Sequence, residues 1–182
     1  MNSPSPQAGF SQRLTEYIDC FSEFTGRSVA WLTLFMVLLT FMIVVLRYGF
    51  DSGWIALQEL VTWLHACVFM LGASYALKRD SHVRVDIFYQ RFSPRGRALV
   101  DLLGSLFLLL PVCLFIFIAS WDYVLEAWEI SEGSAETGGL PGLYLLKSLL
   151  LIMPALLILQ GLAHSLRAAL VLYSPRQDKQ EN

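Results

Sequence analysis

The chain has 182 residues, 55% of them hydrophobic and only 15% charged, with a net charge of −2. Soluble domains use about 25% charged residues to cover their surface, so this composition excludes an ordinary soluble protein and gives no signal for nucleic acid. The three cysteines, Cys20, Cys67 and Cys113, form no CxxC pair, which excludes a disulfide framework and leaves them as small packing residues.

Residues 1–28 are polar and mixed in charge, without the short apolar core of a cleavable signal peptide. Within them Phe10, Leu14, Tyr17, Ile18, Phe21 and Phe24 recur at steps of three and four, with Arg13, Glu16, Asp19 and Glu23 between. This spacing predicts an amphipathic helix, lying in the membrane interface or against a partner helix, with Phe10, Leu14, Tyr17 and Phe21 as candidate contacts. Val29–Leu46 then runs 18 residues without a charge. At about 1.5 Å per residue such a helix crosses a bilayer core about 30 Å thick. Residues 29–46 are therefore the expected first span, serving as an uncleaved signal anchor.

The second apolar run, Trp54–Leu77, carries one formal charge, Glu59, near its start. An ionisable group in hydrocarbon is costly and faces protein, water or the interface. Glu59 either snorkels outward or makes a polar contact, within the bundle or with another membrane protein; Lys147 in the fourth span is one internal candidate. Gly72 and Ala76 form a small-xxx-small pair that permits close helix approach. The following loop holds Lys78, Arg79, Arg84, Arg91, Arg95 and Arg97. Ser93-Pro94 then reads as an N-cap with proline at the first helical position, opening a third span over 99–121. Trp121, Tyr123 and Trp128 fit an aromatic belt. The next loop carries Asp122, Glu126, Glu129, Glu132 and Glu136 and no Lys or Arg; Glu132 and Glu136 are either outer-loop contacts for a partner or part of a solvated turn. The fourth span covers 140–163, and 164–182 form a tail. Pro111 and Pro154 fall inside spans, as kinks or as tolerated structure.

Eleven of the 13 Lys and Arg residues fall on the side of the termini and the second loop, and Arg47 stands alone in the first loop. The positive-inside rule places both termini in the cytoplasm. The expected fold is all-α: a membrane protein of four transmembrane helices with an amphipathic N-terminal interfacial helix, divided as 1–28, a membrane domain 29–163, and the tail.

Catalytic patterns are missing from the sequence. His65, His82 and His164 lie at unmatched depths, unlike axial haem ligands. No HExxH, GxSxG or GxxxxGK[ST] occurs. The chain reads as an accessory membrane module that is not an enzyme and holds no cofactor. The alternatives are a small redox or haem-bearing membrane subunit and a membrane anchoring or assembly protein.

The run Trp54–Asp86, WIALQELVTWLHACVFMLGASYALKRDSHVRVD, resembles the small membrane subunit of tripartite ATP-independent periplasmic (TRAP) transporters, the DctQ type. The matching positions are Glu59, Leu71-Gly72-Ala73, and Arg79 with His82, Val83, Val85 and Asp86; Trp128–Pro154, containing Leu140-Pro141, Lys147 and Met153-Pro154, is a second match. Three positions, Gln58, Thr62 and Ser81, depart from the family pattern. Gln58, Glu59 and Thr62 stand where many members have two acidic residues and a following Arg, and Ser81 replaces a glycine. The resemblance implies a small permease subunit in a bacterial inner membrane. It would brace a large membrane subunit (M-type) that holds the substrate and sodium sites, with solute delivered by a periplasmic binding protein (P-type) and uptake driven by an ion gradient. On this reading Glu59, His82, Arg84, Asp86 and Lys147 are candidate structural or subunit-interface residues, with His82 ordering its loop through Asp86 or nearby backbone.

Overall fold

The computed structural model describes residues 6–79 and 92–173, with side chains from Thr15 onward in the first helix. The candidates His82, Arg84 and Asp86 and the side chains of Phe10 and Leu14 lie outside the described residues. The described residues form four long helices and no strand: α1 (Pro6–Gly49), α2 (Ile55–Lys78), α3 (Pro94–Glu129) and α4 (Leu143–Tyr173). All four are long and apolar enough to cross a membrane.

The amphipathic stretch is not a separate element. It runs without interruption into the first span as one helix of 44 residues. No proline or glycine cluster separates the two, and each added residue of a continuing helix satisfies one more backbone bond. The helix ends at Gly49, and Asp51, with φ of 47°, turns the chain within five residues into α2. So short a connection makes α1 and α2 antiparallel neighbours.

Ser93 caps α3 as expected: its hydroxyl accepts from the Gly96 N–H at 3.2 Å, with Pro94 at the first turn. A π-helical turn, Ser105–Leu109, sits just before Pro111. Proline has no N–H to close the bond four residues back, and the wider turn absorbs the mismatch without ending the helix. At its far end α3 closes in a Schellman arrangement: Glu132 N–H donates to Ala127 O and Ser131 N–H to Trp128 O, with Ser131 at φ 50°.

The fourth helix is central. It packs against α1, α2 and both halves of α3, while α3 packs chiefly on α4. Its buried residues are mostly small or compact: Pro154, Gly161, Ala163, Ser165 and Ala168, with Leu149 and Gln160. A Cβ at Gly161 would fall 2.7 Å from Leu109 Cδ2, so the missing side chain is what lets α3 approach. The small pair expected on α2 is not the tight spot. Gly72 has ordinary room beside Val29, and the close contact is made by Gly26 of α1, where a Cβ would lie 2.5 Å from the Tyr75 ring.

Elsewhere the bundle is open. In α1, Trp31, Phe35, Leu38, Phe41 and Val45 are exposed, and Leu39 is its one buried large apolar side chain among the described residues. In water this surface would be untenable; against lipid it costs nothing.

Replacing Gly26 by Ala is expected to destabilise the α1–α2 packing by about 1–3 kcal/mol. Thermal unfolding in mild detergent checks this. The added change Tyr75→Ala removes the obstructing ring, so the double variant should lose less than the two single costs combined.

Candidate functional site

Polar side chains inside the bundle gather at its two ends. Roughly 28 Å of α2 separates them, counting the rise from Glu59 to Lys78.

At the end bearing the termini, α1 turns its polar face inward. Ser22 donates to Gln160 Oε1 at 2.8 Å, and Gln160, only 1% exposed, donates from Nε2 to Asp19 Oδ1 at 3.2 Å. Asp19 Oδ2 accepts from Arg167 Nη1 at 2.7 Å. Lys78 Nζ donates to the Asp19 backbone carbonyl at 2.8 Å and to Glu23 Oε2 at 2.9 Å. Glu23 also pairs with Arg79 at 3.0 Å, and Arg27 stands 3.9 Å away on the next turn. Nearby, His164 lies 3.9 Å from Asp101. This network joins α1, α2 and α4.

The outcome differs from the soluble-protein logic of an apolar stripe turned inward. Tyr17, Phe21 and Phe24 are 76%, 52% and 68% exposed, whereas Thr15 and Ser22 are buried. With lipid as solvent, the apolar side faces out and the polar side must find partners within the chain. The sequence places Asp19, Glu23, Lys78, Arg79, Gln160 and Arg167, but nothing in its local pattern pairs them.

At the opposite end, Glu59 meets neutral donors rather than a cation. Its Oε1 accepts from the Ser134 hydroxyl, and its Oε2 from the Leu140 N–H at 2.6 Å. Ser134 Oγ in turn accepts from Glu136 N–H at 3.1 Å, and Ser134 N–H donates to Leu140 O at 3.1 Å. Gly139 is required here, because a Cβ would lie 2.8 Å from Glu59 Oε2. Lys147, considered above as a partner for Glu59, pairs instead with Glu132. Its ammonium sits 4.0 Å over the Tyr123 ring, a cation–π contact that further offsets its burial. Trp128 donates to Ser148 Oγ at 2.8 Å and packs edge-on against Tyr144 at 4.6 Å. The acidic loop is thus fastened to α2 by Glu59 and to α4 by Glu132. Glu136 is exposed on it, and Glu132, half-buried, pairs through Oε2 with Lys147.

No group of three or more His, Cys, Asp or Glu side chains among the described residues is placed to hold a metal ion. Neither cluster assembles a nucleophile with a base. Their contacts join α1 to α2 and α4 at one end and the acidic loop to α2 and α4 at the other.

Residues 36–170 match the family model for tripartite ATP-independent periplasmic transporters, DctQ component. The chain belongs to that family. It is 34% identical over 86 residues to a TRAP transporter small permease protein of Haemophilus influenzae, covering 47% of this chain and 53% of that one. It is 31% identical over 117 residues to the C4-dicarboxylate TRAP transporter small permease protein DctQ of Vibrio cholerae, covering 64% of this chain and 48% of that one. The chain therefore spans about half the length of the curated relatives it matches. No solved structure matches significantly. The chain is a multi-pass inner-membrane protein of the DctQ-component family. The redox and anchoring alternatives are not favoured.

Glu59→Gln keeps the shape of the side chain but offers one acceptor where the carboxylate offers two. It should destabilise the fold by about 1–3 kcal/mol. Protease cleavage between Ser131 and Pro141 should accelerate in parallel, and unchanged cleavage would show that the loop does not depend on Glu59. At the other end, Asp19→Asn and Arg167→Gln should each lower the unfolding temperature in detergent. A double-mutant cycle should give a coupling of about 1–3 kcal/mol, with the double variant less damaged than the sum.

Proposed function

We propose that this chain braces a large M-type membrane subunit in ion-gradient-driven, sodium-coupled uptake of an organic acid or similar solute delivered by a P-type periplasmic binding protein. Family membership supports the role, and the carrying observation is the outward apolar face of α1, built from Trp31, Phe35, Leu38 and Phe41. A helix that buries so little against its own chain can lend its surface to a neighbour. Among the described residues the polar contacts between helices gather at the two ends.

In this reading the substrate and sodium sites lie in the partner. The cluster around Glu23 and Lys78 faces the cytoplasm with both termini, following the excess of Lys and Arg at that end. The loop held by Glu59 faces the periplasm, where Glu136 is placed to meet the binding protein. Glu59 and Lys147 act inside this chain as supports of that loop, and the N-terminal part of α1, with Phe24 outward, extends the bracing surface beyond the span.

Photo-crosslinkers placed at Phe35, Phe41 and Phe24 in native membranes should capture a much larger multi-span protein. Capture at α3 positions such as Phe107 and Phe115 but at none of the α1 positions would reject α1 as the bracing face. A cysteine at Thr137 should react with an impermeant maleimide in intact spheroplasts, and failure to react until the membrane is opened would reverse the proposed orientation.

A further inference from the structure

We propose that the groove between the N-terminal part of α1 and α4 binds one anionic phospholipid, with an acyl chain along Ile18, Phe21, Leu156 and Leu159 and its phosphate on Arg167. The groove holds about 190 Å³ and is lined by Tyr17, Ile18, Phe21, Ser22, Leu156 and Leu159. Its polar wall groups are the hydroxyls of Ser22, which donates to Gln160, and of the exposed Tyr17; the rest is apolar, so the groove favours a hydrocarbon occupant. Phe21 and Leu159 are 52% and 47% exposed, which leaves the groove open to the surrounding lipid.

The charge beside it selects the headgroup. The connected network holds two carboxylates, Asp19 and Glu23, against four cations: Arg27, Lys78, Arg79 and Arg167. Asp19, next in sequence to Ile18 of the groove, holds Arg167 by one N–H at 2.7 Å. A guanidinium has five N–H donors, and the Arg167 side chain is 39% exposed, so it can grip a phosphate while remaining tethered. A zwitterionic headgroup brings its own cation to this positive end; an anionic one does not, and each basic residue near the surface adds to its attraction. The exposed Tyr17 at the groove suits the interfacial depth at which a headgroup lies.

Native mass spectrometry of the full chain, delipidated in mild detergent and titrated with phosphatidylglycerol or phosphatidylcholine of identical acyl chains, tests the site. One phosphatidylglycerol should bind about tenfold more tightly than phosphatidylcholine. The double variant Asp19→Asn with Arg167→Gln leaves the charge excess of the network unchanged. It should lose most of this preference and keep its affinity for phosphatidylcholine, so the loss reads the Arg167 contact and not the general field. Leu159→Trp, at an exposed position that folding tolerates, should fill the groove and weaken both lipids. Equal binding of the two lipids by the unaltered chain overturns the proposal, as does unchanged binding in Leu159→Trp. Competition by inorganic phosphate at millimolar concentration would assign Arg167 to a free anion, and loss of the bound lipid in a complex with a larger membrane protein would assign the groove to that protein; either also overturns it.

Discussion

Every polar group that this chain takes into lipid must find its partner within the chain, and the arrangement of the four helices follows from that constraint. Gln160 is the clearest case. Fully buried in α4, it both accepts from Ser22 and donates to Asp19, and through Asp19 it is joined to Arg167 and Lys78. An amide left unpaired in hydrocarbon would cost several kcal/mol, so α1 is held to α4 by the cost of leaving. The same logic turns the amphipathic part of α1 inside out relative to a soluble helix, with Tyr17, Phe21 and Phe24 outward and Ser22 inward.

The opposite end solves a different problem with neutral groups. A carboxylate paired to a lysine across two long side chains loses conformational entropy and tolerates little misplacement. Glu59 is satisfied instead by a hydroxyl and a backbone amide from a loop whose turns are set by Ser131, Gly138 and Gly142 at positive φ. The loop gains an anchor on α2 that its own flanking helices cannot supply. Lys147 is thereby released to Glu132 and the Tyr123 ring, which ties the loop to α4 as well. A segment whose sequence reads as a partner contact or a solvated turn is fastened to two helices.

Packing between these ends is asymmetric, and the asymmetry bears on function. The central α4 is lined with small residues where α3 crosses it and offers its polar groups to α1 near the terminal end. α1 packs chiefly on α2, and many of its aromatic and aliphatic side chains remain outside. Cores do not form between helices by hydrophobicity in lipid, because lipid is equally apolar; only small-residue contacts and polar pairs hold them. An open bundle fastened at its ends is therefore stable without being closed, and it leaves an apolar face of α1 bare.

The sequence by itself determined the four apolar helices, their approximate limits, the Ser93-Pro94 start of α3 and the two unequal ends of charge. Hydropathy, capping and proline effects act within a few residues, so they are legible one segment at a time. Family membership was legible for a similar reason: its motifs are local and ordered along the chain. Only the tertiary structure decided that the N-terminal stretch continues α1, which way its polar face turns, and that Glu59 takes Ser134 and Leu140 while Lys147 takes Glu132. Periodicity identifies a face but not its neighbour; in lipid the apolar face goes outward, the reverse of the rule that aqueous folding teaches. Partner choice is further from reach, because Asp19 meets Arg167 across 148 positions and Glu59 meets Leu140 across 81. Separations of that size become contacts only after four helices have chosen their register against one another.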